Sequence, residues 1–148
     1  MRNLEKFEIR EAEINDAAII AELSGELGYP SSQAQSVTRL ESILDIPEHK
    51  VYVAVDRDET VLGWIHVFIS RYLESDPFAE LGGLVVTANW RAKGIGKKLM
   101  DAAESWVAQK GVHKMKIRSR SSRVEAHAFY ESLGYGVNKT QYVFEKSL

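Results

Sequence analysis

No cysteine occurs among the 148 residues. A disulfide framework, thiolate metal sites, iron-sulfur clusters and a cysteine nucleophile are therefore excluded, and a reducing compartment fits. The histidines His49, His66, His113 and His127 show no i, i+3 or i+4 spacing among themselves, so no metal is expected. No apolar run approaches the roughly 18 residues of a membrane span. The opening stretch MRNLEKFEIREAEIND has no apolar core of signal-peptide length, so the chain is expected to be cytoplasmic and without a membrane partner. Hydrophobic residues at 45% and charged residues at 27% exclude collagen-like, disordered and low-complexity chains. A chain of this length reads as one domain, 1–148, around a single core.

The net charge of -2 hides an asymmetry. Residues 91–123 carry ten Lys or Arg against two acids, Asp101 and Glu104, whereas residues 1–90 carry 16 acids against 7 basic residues. A basic block within an acidic chain reads either as a local polyanion site or as a solvated helix face and sheet edge; a nucleic-acid binder more often shows its excess over the whole domain. Lys114, Lys116, Arg118 and Arg120 alternate with Met115, Ile117 and Ser119, a one-face charged strand without an aromatic platform for RNA. No nucleic-acid partner is expected.

The periodicities place a short strand at 7–12. A helix follows, with Asn15 and Asp16 at its cap, a stripe of Ala17, Ile20, Leu23 and Leu27, and a stop at Gly28-Tyr29-Pro30. A second helix follows Ser31 and Ser32, presents Val37, Leu40 and Leu44, and is closed by Pro47. Strands at 51–55 and 61–70 read as an antiparallel hairpin, and 79–87 as a strand covered on both faces. A helix from Ile95 to Gly111, a strand at 112–119, a helix at 123–133 and a last strand at 141–146 complete a mixed α/β order.

The segment between the strand at 79–87 and the next helix is Arg91-Ala92-Lys93-Gly94-Ile95-Gly96. A helix N-terminus offers unpaired amides and the positive end of a dipole, glycines allow a phosphate close to that backbone, and Arg91, Lys93, Lys97 and Lys98 add fixed charge. It is not a P-loop, because no Ser or Thr follows Gly96-Lys97, nor a dinucleotide fingerprint, because Leu99 stands where a third glycine would. It does fit R-x-x-G-x-G. With the strand Leu81-Gly82-Gly83-Leu84-Val85-Val86 before it and Ala126-His127-Ala128-Phe129-Tyr130-Glu131-Ser132-Leu133-Gly134-Tyr135 after it, the sequence resembles the GCN5-related N-acetyltransferase (GNAT) superfamily over nearly its whole length.

The resemblance implies an α/β (α+β) acyl-CoA N-acyltransferase fold, with a mixed sheet of about six to seven strands, splayed fourth and fifth strands, and about four flanking helices. It further implies that acetyl-CoA is the co-substrate. Its pantetheine arm would lie on the backbone of Leu84, Val85 and Val86, and its pyrophosphate on Arg91, Ala92, Lys93, Gly94, Ile95, Gly96 and Lys97. By the same resemblance Tyr130 is the acid that protonates the departing thiolate, and the Val85 N–H donates to the oxyanion. Arg123 departs from the pattern, since an Asn that touches pantetheine often stands there; Arg could reach a phosphate instead. Glu80, at the strand mouth, is the candidate general base, and a carboxyl beside an apolar core can have a raised pKa; the alternative is a solvated strand-end acid. The expected activity is N-acetylation by direct attack of an amine. The acidic balance of residues 1–90 favours a small cationic amine over a protein N-terminus or lysine. A non-catalytic CoA-binding sensor or partner module is the second reading. Homodimerisation is expected, because family members often pair through C-terminal strands and Tyr142-Val143-Phe144 is apolar.

Overall fold

The computed structural model describes residues 6–26 and 28–148. By contact density it divides into two compact units, Met1–Ile117 and Arg118–Leu148.

The first unit holds a five-stranded sheet in the order β1 (Glu8–Glu11), β2 (His49–Val55), β3 (Val61–Ser70), β4 (Phe78–Val86), β5 (Met115–Lys116). The first four strands are antiparallel neighbours, and β5 pairs with β4 in parallel. Helices α1 (Ala17–Glu26) and α2 (Gln33–Leu44) lie on one face. There Ala17, Leu23 and Leu40 form one buried cluster with Val51, Val53, Val55, Val61 and Val85. Helix α3 (Ile95–Gln109) packs on β2, β3 and β4, with Leu99, Met100, Ala103, Trp106 and Val107 buried along the stripe expected from the sequence. Each of its large apolar side chains contributes about 1.5–3 kcal/mol by leaving water. Leu27, expected on the α1 stripe, lies outside the described residues.

Local chemistry explains the helix starts. The Ser32 hydroxyl accepts from the Gln35 amide at 3.1 Å while the Gln35 side chain accepts from the Ser32 amide at 2.9 Å, a reciprocal cap. Before α1, residues Ile14–Asp16 form a 3-10 turn in which the Asp16 carboxylate accepts from the Glu13 amide at 2.7 Å. Arg10 of β1 grips that carboxylate with two nitrogens at 2.9 and 3.0 Å. Burial alone would raise Asp16, but the hydrogen bonds from Arg10 and the Glu13 amide, with the Arg10 charge, outweigh it and hold Asp16 below its ordinary value. Asp16→Asn should therefore cost roughly 2 kcal/mol near neutral pH. With a folded-state pKa below that of the unfolded chain, this contribution is present above about pH 4 and lost as the pH falls. Denaturation midpoints of wild type and Asp16→Asn should accordingly converge under acid, and a gap that persists there would rule the linkage out.

Two expected strands differ. The strand at 112–119 contracts to Met115–Lys116, because its ladder with β4 ends at Glu80–Lys116, just before β4 bulges. The strand at 141–146 does not form: among the described residues it has no ladder partner, and Tyr142, Val143 and Phe144 are 91%, 90% and 92% exposed. Apolar alternation marks strand character, but a strand exists only against a partner. The sheet thus has five strands rather than six or seven. The second unit carries α4 (Val124–Ser132), with Ala126, Phe129, Tyr130 and Leu133 half-buried.

Candidate functional site

Helix α3 starts without a side-chain cap. Gly94 at its N-cap has φ +89°, Ala92 has φ +62°, and no acid stands in the first turn. The first intrahelical bond is Lys98 N–H to Gly94 O at 3.1 Å, so the amides of Ile95, Gly96 and Lys97 precede the helix's own hydrogen bonding. Left-handed residues at 92 and 94, alternating with ordinary ones, turn successive N–H groups into a concavity that suits an anion. Nothing lies within 4 Å of where a Cβ on Gly94 would stand, so the glycine is there for its backbone angle and not for space. Of the charged residues expected here, Arg91 donates from Nε to Val86 O at 3.1 Å, Lys97 pairs with Asp101 at 3.2 Å, and Lys93 sits 5.8 Å from the Trp90 ring centroid. Glu26 accepts from the Ala88 amide at 3.1 Å and the Thr87 hydroxyl at 3.2 Å, tying the end of α1 to the approach to this turn.

Upstream, β4 loses its β5 neighbour after Glu80, leaving one edge of 81–86 open within the first unit. Thr87 N–H donates to Leu62 O at 2.8 Å. By the alternation of an antiparallel ladder, Val85 then aims its amide at Trp64, while Leu84 and Val86 aim theirs at the open edge. The oxyanion role expected of the Val85 amide therefore passes to its neighbours, because that N–H is committed to the sheet. β4 also bulges: His66 pairs with Gly83 and Val67 with Leu81, so Gly82 is the extra residue. A Cβ on Gly82 would fall 2.3 Å from His66 Nδ1, and one on Gly83 2.6 Å from the Trp64 ring. Two rings of β3 thus lie directly on the β4 backbone, which only glycine permits.

Glu80 is no solvated strand-end acid. It is 8% exposed, and the Ser70 hydroxyl donates to its Oε2. Phe68 and Lys116 are its register partners, and the Lys116 ammonium lies 4.1 Å from the Phe78 ring centroid. Across β3 and β2, His66 Nε2 and His49 Nδ1 are 2.9 Å apart, and Phe68 packs on both rings at 5.4 and 5.1 Å. Burial, then the neighbouring His49, pushes His66 down to about 4. Ser70, His66 and His49 were not singled out from the sequence; counting back from the hairpin at 55–61 puts His49 and His66 near each other, which is the one signal that would have found them.

In the second unit, burial raises the Tyr130 phenol above its ordinary value, with Arg123 partly opposing it. Arg123 is the exposed N-cap residue of α4, and His127 Nε2 lies 2.8 Å from Arg120 O, a local contact. No group of three or more His, Asp or Glu among the described residues could hold a metal ion, and no helix there is long and apolar enough to cross a membrane.

Residues 17–135 match the model of the acetyltransferase (GNAT) family. An aminoglycoside N(6')-acetyltransferase type 1 of Stenotrophomonas maltophilia is 30% identical over 131 residues, 86% of this chain and 84% of that protein. Among solved structures, an aminoglycoside N-acetyltransferase in complex with CoA superposes with TM-score 0.88 at 19% identity, over 100% of this chain and 99% of that one. Glucosamine-6-phosphate N-acetyltransferase from Arabidopsis thaliana gives TM-score 0.80 at 23% identity, over 97% and 100%. At these identities the two structures show a shared fold.

Proposed function

Because the chain belongs to the GNAT family of acetyl-CoA-dependent N-acetyltransferases, we propose that it acetylates a small cationic amine by direct attack on the thioester. The observation that carries this reading is the uncapped α3 N-terminus, with left-handed backbone at Ala92 and Gly94, at the end of a strand whose edge is open. In this reading the pyrophosphate rests on the amides and basic side chains of Arg91, Ala92, Lys93, Gly94, Ile95, Gly96 and Lys97. Pantetheine runs along Leu84, Val85 and Val86, bonding the outward amides of the first and last, and Arg123 reaches a phosphate. The amine lone pair forms the C–N bond as the carbonyl pair moves to oxygen, Glu80 takes the nitrogen's proton, and the returning pair breaks C–S. Tyr130 then protonates the thiolate.

The acidic excess of residues 1–90 supports a cationic acceptor, as does the name of the 30%-identical relative. Thiol release on incubating the protein and acetyl-CoA with a panel of aminoglycosides, polyamines and N-terminal peptides tests the reading. Turnover confined to small cationic amines is expected. Turnover on peptides alone would make it a protein acetyltransferase, and CoA binding without thiol release a sensor module.

We also infer a homodimer in the cytoplasm, supported by the exposed run Tyr142-Val143-Phe144, which a strand partner would cover. Light scattering should give twice the monomer mass at micromolar concentration, falling toward one with Val143→Lys and Phe144→Glu; a wild-type monomer would overturn the inference.

A further inference from the structure

The His49–His66 pair is costly packing, since two imidazoles are desolvated on a face where apolar rings would serve. Its geometry suits a different task. His66 faces the bulge, and its Nδ1 sits where Gly82, exposed within an otherwise covered strand, has no side chain to block it. Its Nε2 bonds to His49 Nδ1. His49, half-buried at the start of β2, has its own Nε2 left to lead outward, and Phe68 holds both rings in stacked order. Register places Phe68, and with it this ring stack, on the same sheet face as Glu80, two residues from the bulge.

We propose that His66 and His49 form a proton relay carrying the acceptor amine's proton from the β4 bulge to solvent. The inference rests on the reading of the β4 edge as the acetyl-CoA cleft. After C–N bond formation the nitrogen carries a positive charge and a surplus proton. That proton passes to His66 Nδ1 as the Nε2 proton of His66 passes to His49 Nδ1, and His49 releases its Nε2 proton to water. Each ring gains one proton and loses one, so no imidazolium accumulates; the low value of His66 disfavours stored charge and suits transfer in passing. The tautomer required is Nε2–H on His66, which leaves Nδ1 as the acceptor beside Gly82. The other charged groups on this face are engaged: Glu80 accepts from Ser70, Lys116 lies over Phe78, and Glu48 beside His49 is paired with Arg71. Glu80 and the relay then divide the task, Glu80 orienting the incoming amine and taking its proton first, the histidines exporting that proton.

The test compares His49→Ala and His49→Phe with wild type, measuring thiol release, acetyl-CoA affinity and melting temperature. Both variants should lose roughly 10- to 100-fold in kcat with acetyl-CoA affinity unchanged. Added imidazole should restore His49→Ala, which has a vacant ring site, and not His49→Phe, which keeps the stack. In mixed light and heavy water the wild-type rate should curve with deuterium fraction, reporting more than one proton in flight, and the His49→Phe rate should be linear. Wild-type kcat in folded His49→Phe, loss in His49→Ala alone without rescue, or a linear wild-type response would each overturn the relay. Absence of thiol release by wild type with every amine would instead overturn the proposed function.

Discussion

Tyr130→Phe should lower kcat by roughly 10² to 10⁴ while acetyl-CoA affinity and melting temperature barely move. The substitution keeps the half-buried ring and removes only the hydroxyl. Burial raises the phenol above its ordinary value, so it is fully protonated at neutral pH and available as an acid. Glu80→Gln should cost a comparable factor and abolish the acid limb of the kcat/KM profile, because a neutral amide of the same shape no longer accepts the proton. Amines of low intrinsic pKa should suffer least, since they arrive neutral. The amide oxygen introduced by Glu80→Gln can still accept from the Ser70 hydroxyl that bonds Glu80, so the fold should hold and the loss should be chemical. A Tyr130→Phe protein with wild-type turnover would remove Tyr130 from the reaction and leave thiolate departure to water.

Gly94→Asp should abolish acetyl-CoA binding, by at least about 100-fold, since a fixed carboxylate at the mouth of the amide concavity repels the pyrophosphate and competes for the same N–H groups. The backbone angle of +89° disfavours any side chain, yet Asp tolerates the left-handed region better than most, and no atom stands within 4 Å of the new Cβ. The variant should therefore fold. Gly94→Ala is the control: it bears the same backbone strain, roughly 1–2 kcal/mol, without the charge, and should weaken binding far less. Calorimetry showing unchanged affinity for folded Gly94→Asp would move the phosphate site elsewhere.

Much of this site is local, and local features are legible in a sequence. The α3 start depends on residues adjacent in the chain, and so do the need for glycine at 94 and the basic cluster around it. The helical stripes and the Ser32 cap are equally short-range, because helix hydrogen bonds and side-chain caps span three or four residues. Tyr130 and Glu80 were nominated by motif and by position in a strand.

What the tertiary structure decided are the pairings between distant residues. Ser70 meets Glu80, and His49 meets His66 against Gly82, only once the registers of β2, β3 and β4 are set, and a one-residue slip would send each side chain to the opposite face. The bulge at Gly82 turned a glycine pair read simply as strand into a seat for two rings. The same register committed the Val85 amide to the sheet and left those of Leu84 and Val86 outward. At the C-terminus, Tyr142-Val143-Phe144 has the composition of a strand yet stands exposed. Composition sets which face of a segment is apolar, whereas the hydrogen bonds that make it a strand belong to whichever chain lies alongside.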